Sequence, residues 1–317
     1  MGWSMPSSEW IKQIEGIDGL DVKRGAMLKD YTTVHIGGEC TALVEARDYG
    51  ALITCMKVLG GENMPPVDVF VLGGGSNLLV GDRGYDGFVI KLGGGFKELV
   101  DHDGSLTVGA GCLMRDLSLV GVREGWGGTE HFAGLPGTVG GAVRMNAGAW
   151  GREIWDDINW VYAVDMGGGE HVISREEARP SYRNGGVPTD FIITRVEIRY
   201  EKESPALLKQ RLRQFLVRRK SVHAISLPTF GSVFKNPKGF HAGKLIDTVG
   251  LRGKRIGGAM ISEKHANFIV NTGGARAVEV LSLMRLMKEG VYGRFGIELE
   301  PEVIFLGLTE EELEGIL

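Results

Sequence analysis

Hydrophobic positions along the first two hundred residues switch repeatedly between two periods. Alternation and short apolar runs predict strands at 42–45, 67–72, 88–92, 106–108, 159–164, 171–173 and 191–200. The last is rich in β-branched residues, which suit a pleated surface. Helical spacing of apolar side chains predicts helices at 49–59 and 114–124. Residues 1–30 are polar and irregular, with one short helix predicted at 8–15. Glycine clusters fall where strands end, so this part of the chain is mixed α and β.

The pattern changes at 201–205. Pro205 opens a predicted helix reaching Val222, a position where its missing N–H costs little. Leu208, Leu212, Phe215 and Leu216 form its apolar stripe. Lys209, Arg211, Arg213, Arg218, Arg219 and Lys220 crowd the same segment, mostly as a solvated face, with one or two available to attract a polyanion. A second helix is predicted at 277–289, with Val280, Met284, Met287 and Val291 on one side as core filler. A final strand is predicted at 296–306. A domain boundary falls near 203.

The chain has 317 residues, enough for two or three domains. Glycine numbers 50 and follows no collagen-like period, so the excess belongs to turns and ligand loops. The net charge of −4 argues against a general nucleic-acid binder. Cys40, Cys55 and Cys112 have no metal-ligand spacing and cannot all pair, which suits a reducing compartment. The start lacks signal-peptide character, and no apolar run is long enough to span a bilayer. A cytoplasmic protein is expected, with no nucleic-acid or membrane partner and no metal.

Two glycine-rich stretches carry the strongest chemical signal. Gly73, Gly74, Gly75, Ser76, Asn77 and Leu78 follow an apolar run. Between Ala133 and Gly151 lie Gly134, Pro136, Gly137, Gly140, Gly141, Asn146, Ala147 and Gly148, with Arg144 as the one charge. Without Cβ atoms in the way, backbone N–H groups can approach an anion closely. The first stretch is no dinucleotide fingerprint, since Leu78 stands where a third glycine would be needed, and Gly109-x-Gly111 fails likewise at Met114. A nucleotide-triphosphate loop is also absent. A tight structural turn explains Gly73–Asn77 alone about as well. The pair suggests a long phosphate-bearing cofactor held at two places.

Three further stretches could carry chemistry. Gly231-Ser232-Val233-Phe234-Lys235-Asn236 sets a hydroxyl beside a cation and an amide, but it is no hydrolase elbow, because Phe234 replaces the last glycine. A serine in a strand-capping turn is the slightly favoured reading of those residues alone. Glu298, Glu300 and Glu302 alternate along the C-terminal strand, either as a charge-defended edge or with one carboxylate in a cleft. Arg183 follows Tyr182 in a loop, where a guanidinium could clamp a carboxylate or phosphate, although a lone surface arginine is the commoner outcome. His265 is the one histidine inside a motif-like polar run.

Taken in order, 71–80, 133–151, Tyr182-Arg183, 231–237, 242–246, 256–271 and 299–303 resemble the UDP-N-acetylenolpyruvoylglucosamine reductase family, in the form lacking an extra tyrosine-bearing loop. The resemblance spans roughly 30 to 307. It implies an α+β protein with the p-cresol-methylhydroxylase type of FAD-binding fold, made of two α/β subdomains, plus a C-terminal α/β substrate-binding domain. The implied division is an extension at 1–30, an FAD-binding domain at 31–202 split near 92–105, and a substrate domain at 203–317. The implied reaction passes a hydride from NADPH to FAD and on to the enolpyruvyl ether of UDP-N-acetylglucosamine, giving UDP-N-acetylmuramate for peptidoglycan. The two glycine stretches would bind FAD. Arg183, Ser232 and Glu302 take the family's catalytic positions, and Lys235, Asn236 and His265 fall on the substrate. A monomer or weak oligomer with ping-pong kinetics is expected.

Those residue types suit that chemistry. Hydride addition to an enolpyruvyl group needs stabilisation of charge growing toward its carboxylate, which Arg183 and Glu302 can provide. The resulting carbon is basic enough for Ser232 to protonate. The chain departs from the family pattern at Asn184-Gly185-Gly186, Trp150, 32–35 and 223–228. Other classes compatible with the sequence are a different flavin oxidoreductase of the same fold and a non-catalytic nucleotide-binding protein.

Overall fold

The computed structural model describes residues 7–61, 67–222 and 226–317. Among them the chain divides into two compact units. The first comprises Met1–Gly25, Thr41–Gly73 and Gly87–Val217; the second comprises Ala26–Cys40, Gly74–Asp86 and Arg218–Leu317.

The first unit is built on two sheets. One has four strands in the order Leu20–Arg24, Cys40–Ala46, Tyr85–Leu92, Asp68–Val71. Its first pair is antiparallel and its last pair parallel. Helices Ser7–Glu15 and Tyr49–Leu59 cover it, burying Ile11, Ile14, Leu52 and Met56 with Phe88 and Ile90. Asp48 caps the second helix by accepting from the Ala51 N–H at 2.9 Å. The other sheet is antiparallel, in the order Glu170–Ser174, Ile158–Val164, Ile192–Arg199, Ser105–Gly109, Leu99–Asp101. One face of its strands packs around Phe132, Trp155, Val161 and Val196, with helix Met114–Glu124 against it.

The second unit holds an antiparallel sheet in the order Thr229–Ser232, Phe268–Asn271, Ala259–Ile261, Arg255–Ile256. Helices Ala242–Thr248 and Ala277–Phe295 bury Ala242, Ile246, Val280, Met284 and Met287 against Phe230, Phe234 and Ile269. Asp82 caps the longer helix from outside, accepting from the Ala277 N–H at 2.8 Å. A parallel pair joins Leu78–Val80 to Ile304–Leu306.

The compact units group the chain otherwise than the linear division into 1–30, 31–202 and 203–317. Residues 26–40 and 74–86 pack with the C-terminal part, and the cut falls inside helix Pro205–Val222 rather than near 203. The strand expected at 296–306 is confined to Ile304–Leu306, preceded by an isolated antiparallel bridge between Pro301 and Phe234. The helix expected at 277–289 continues to Phe295 and stops at Gly296, which takes a left-handed conformation. The second glycine stretch is not all loop: it contains helix Val139–Arg144.

Candidate active site

In the second unit, three distant segments converge. Strand Thr229–Ser232 pairs with Phe268–Asn271, with Thr229 opposite Val270 and Ser232 opposite Phe268. The register shifts between those pairs, and Gly231 sits at φ 87°. This is a bulge with glycine in the left-handed region, a device that re-aims the following side chain, here Ser232. Beyond the bulge, the main chain of 233–235 runs antiparallel to 300–302. Glu302 N–H donates to the Val233 carbonyl and Lys235 N–H to the Glu300 carbonyl, each at 2.8 Å. Asn267 holds Phe234 from the other side: its Nδ2 donates to the Phe234 carbonyl at 2.8 Å and its Oδ1 accepts from the Phe234 N–H at 3.1 Å. Ser232 and Glu302 therefore lie on paired, doubly anchored segments, and both are half-buried.

The first glycine turn joins them. Asn77 Nδ2 donates to the Glu302 carbonyl at 2.9 Å, and Ile304 N–H donates to the Asn77 carbonyl at 3.0 Å. Thr33 Oγ1 donates to the Thr229 carbonyl at 2.6 Å, while Thr33 N–H donates to the Gly75 carbonyl at 3.0 Å. Gly75 has φ 60°, and a Cβ there would be driven into the Tyr31 carbonyl. Leu78 is core and ladder, 4% exposed and paired with Ile304.

In the first unit, Gly73 lies beside Thr138, whose Oγ1 would be 2.6 Å from a Cβ added to Gly73. Thr138 also caps helix Val139–Arg144, accepting from the Gly141 N–H at 3.4 Å. Gly134 and Gly137 have φ 76° and 97°, and Pro136 is exposed between them. The expectation of open amides along this stretch is corrected at several positions. Gly140 N–H donates to the Ala110 carbonyl at 2.9 Å and Ala147 N–H to the Ala142 carbonyl at 2.8 Å. Gly148 pairs with Glu153. Arg144, half-buried, donates to the carbonyls of Val187, Pro188 and Phe191, so it braces a loop.

Arg183 stands in a two-residue turn closed by Ser181 and Asn184. Ser181 N–H donates to the Asn184 carbonyl at 2.8 Å and Asn184 N–H to the Ser181 carbonyl at 3.0 Å. Arg183 has φ 60°, an uncommon conformation for a bulky residue, and its guanidinium lies 4.8 Å from the centre of the Tyr182 ring. The unusual Asn184-Gly185-Gly186 run has a steric reason. Asn184 Oδ1 accepts from the Gly186 N–H at 2.9 Å, and Gly185 N–H donates to the Arg144 carbonyl at 2.9 Å. A Cβ on Gly185 would strike the Val143 carbonyl, and one on Gly186 the Ala178 carbonyl. Trp150, at φ 59°, stacks on Phe215 at 5.8 Å. The departure at 223–228 falls partly outside the described residues.

The expected substrate residues are all tied to protein groups. Lys235 Nζ lies 3.1 Å from Glu300 Oε1, whose side chain is largely exposed. Asn236 Oδ1 accepts from the Ala242 N–H at 3.0 Å, at the start of helix Ala242–Thr248. His265 Nδ1 accepts from the Asn267 N–H at 3.3 Å, and its ring meets Phe268 edge-on at 4.6 Å. Burial, and secondarily the Arg252 charge, lower its pKa below the ordinary histidine value. Sequence reading missed Thr33, Thr138 and Asn267. Thr33 and Asn267 act through hydrogen bonds to residues far along the chain, and Thr138 through the cap of the short helix that follows it.

Two features suit a flavin dinucleotide. The amides of Gly73, Gly74, Gly75, Ser76 and Asn77 donate to no protein acceptor among the described residues. Consecutive unpaired N–H groups are suited to phosphate oxygens. Asn146, 1% exposed at φ 44°, keeps a buried Oδ1 with no hydrogen-bond partner among the described residues. Among the described residues there is no cluster of three or more histidine, cysteine or acidic side chains that could hold a metal ion, and no helix is long and apolar enough to cross a membrane.

Comparison with known proteins agrees with this arrangement. Residues 40–174 match an FAD binding domain, and 223–306 match the C-terminal domain of UDP-N-acetylenolpyruvoylglucosamine reductase. The reductase of that name from Myxococcus xanthus is 40% identical over 299 residues, covering 93% of this chain and 95% of that protein. The one from Syntrophotalea carbinolica is 40% identical over 286 residues, covering 90% and 94%. The crystal structure of the Thermus caldophilus reductase superposes with a TM-score of 0.79 at 38% identity, covering 90% of this chain and 99% of that one. With relatives this similar along nearly its whole length, the chain belongs to the UDP-N-acetylenolpyruvoylglucosamine reductase family.

Proposed function

We propose that this protein is an FAD-dependent reductase that converts the enolpyruvyl ether of UDP-N-acetylglucosamine to the lactyl ether, UDP-N-acetylmuramate, with NADPH as electron source. The observation that carries the reading is the joining of Ser232, Glu302 and the amide-rich turn 74–77 through Asn77 and the paired main chains of 233–235 and 300–302. When bound, FAD supplies the hydride. Arg183 and the Glu302 carboxyl stabilise charge that grows toward the substrate carboxylate. Ser232 Oγ gives a proton to the carbon that becomes basic. Lys235, Asn236 and His265 orient the substrate. The turn 73–77 and Asn146 hold the cofactor. Nucleotide sugar and NADPH are cytoplasmic metabolites, so the enzyme works in the cytoplasm, in peptidoglycan precursor synthesis.

A spectrum of the purified protein tests this reading. Bound oxidised flavin gives a band near ~450 nm. Anaerobic NADPH should bleach it, and the enolpyruvyl sugar nucleotide should restore it. A colourless protein that takes up no added FAD overturns the proposal. So does a bleached flavin that the sugar nucleotide leaves unchanged. Oxygen consumption with small alcohols would point instead to an oxidase of the same fold.

A further inference from the structure

Asn146 and Arg183 are among the first-unit residues that hold a left-handed backbone without being glycine, and a hydrogen bond from Asn146 reaches the turn that carries Arg183. Asn146 (φ 44°) ends the helix-bearing part of the second glycine stretch, and Arg183 (φ 60°) sits in the turn 181–184. Asn146 Nδ2 donates to the Ser181 carbonyl at 3.0 Å and to Glu153 Oε2 at 2.7 Å. Ser181 is the residue whose main chain closes the turn around Arg183. The rest of that loop rests on the same short helix, because Gly185 N–H donates to the Arg144 carbonyl and Arg144 donates to the carbonyls of Val187 and Pro188.

The Asn146 side chain is thus half used. Both hydrogens of its amide are placed, while Oδ1 is buried and unpartnered among the described residues. A buried acceptor left empty beside a strained backbone is costly, and such features concentrate where a ligand completes the site. An arriving donor at Oδ1 would fix the amide plane. Fixing that plane fixes where Nδ2 points, and Nδ2 holds the Arg183 turn.

Resting on the reductase reading, we infer that Asn146 is a positioning residue: its Oδ1 accepts a hydrogen bond from bound FAD, and its Nδ2 transmits cofactor docking to the turn that carries Arg183. Glu153 keeps the amide from flipping, since its carboxylate accepts a hydrogen bond and would repel the amide oxygen. The catalytic arginine is then set in place by the cofactor rather than by the substrate alone.

The test uses the full chain stripped of flavin and titrated with FAD. Asn146→Ala should weaken FAD binding by about tenfold or more. Amide hydrogen exchange at 181–186 should slow on FAD addition in the unaltered protein and stay fast in the variant. Asn146→Asp keeps an acceptor but loses the donor. It should bind FAD better than Asn146→Ala yet still show no protection at 181–186. In FAD-loaded protein, Asn146→Asp should slow reoxidation by the sugar nucleotide about tenfold and slow reduction by NADPH by clearly less. In an Arg183→Ala background it should add no further loss. Unchanged FAD affinity in Asn146→Ala overturns the inference, as does exchange at 181–186 that ignores FAD. An unaltered protein that binds FAD but never reduces the sugar nucleotide would overturn the reductase reading alone. The affinity and exchange outcomes would still decide the role of Asn146.

Discussion

The side-chain amide of Asn77 donates to the main-chain carbonyl of Glu302 at 2.9 Å, across 225 positions of sequence. One residue of the first glycine turn thus fixes the height of the segment bearing the proposed catalytic carboxylate. Asn77→Ala should therefore lower stability by about 1 kcal/mol, read from a denaturant midpoint. With FAD saturating, reoxidation by the sugar nucleotide should slow severalfold while reduction by NADPH is preserved. Equal slowing of both half-reactions would contradict a role specific to Glu302.

Ser232 is aimed by the bulge at Gly231. Ser232→Ala should reduce overall turnover by about 10²–10⁴-fold, the range for a lost general acid, with flavin reduction by NADPH intact. Unchanged turnover would refute the donor assignment. Gly231→Ala tests the bulge itself. Its nearest neighbour is the Ser76 carbonyl, 3.7 Å from the added Cβ, so space is available and only the left-handed φ opposes the change. A loss of about 1–2 kcal/mol should accompany the misdirected serine.

The loop after Arg183 should tolerate no side chain at Gly185 or Gly186. Each substitution drives a Cβ into a main-chain carbonyl, and Gly186 adds a φ of 70°. Gly186→Ala should cost more than about 3 kcal/mol, in the range of steric and strained-backbone defects. Gly104→Ala is the control. It shares a positive φ of 115° but has nothing within 4 Å, so thermal unfolding should fall much less.

Stability should depend on pH through His265. Burial lowers its pKa in the fold below the free value of 6.5, so the unfolded chain binds more protons just below that value. The neutral-ring contribution is complete above about pH 6.5 and is lost as pH falls, until the folded-state group also titrates. Denaturant midpoints at pH 7.5 and 5.5 check this. The unaltered protein should lose more stability on acidification than His265→Gln, and equal losses would remove His265 as the source.

Much of the local architecture was legible before any coordinates. Helices Tyr49–Leu59, Met114–Glu124 and Pro205–Val222 lie where their apolar spacing placed them. The first two bury their apolar faces, and the third buries Leu208 and Leu212 of its expected stripe but leaves Leu216 exposed. The motif order from 71–80 to 299–303 carried the family. The glycine turn at 73–77 also showed its character, because a run of small residues has little else to offer than its main chain.

Other features could not be read one segment at a time. Leu78–Val80 pairs with Ile304–Leu306, so 74–86 joins the C-terminal unit. The second glycine stretch spends amides on Ala110 and Ala142, and Asn77 turns to Glu302. A side chain's periodicity states which face must be buried. It is silent on which distant main-chain groups will satisfy one another, because that choice is made by all the unpaired donors and acceptors of the folded chain together.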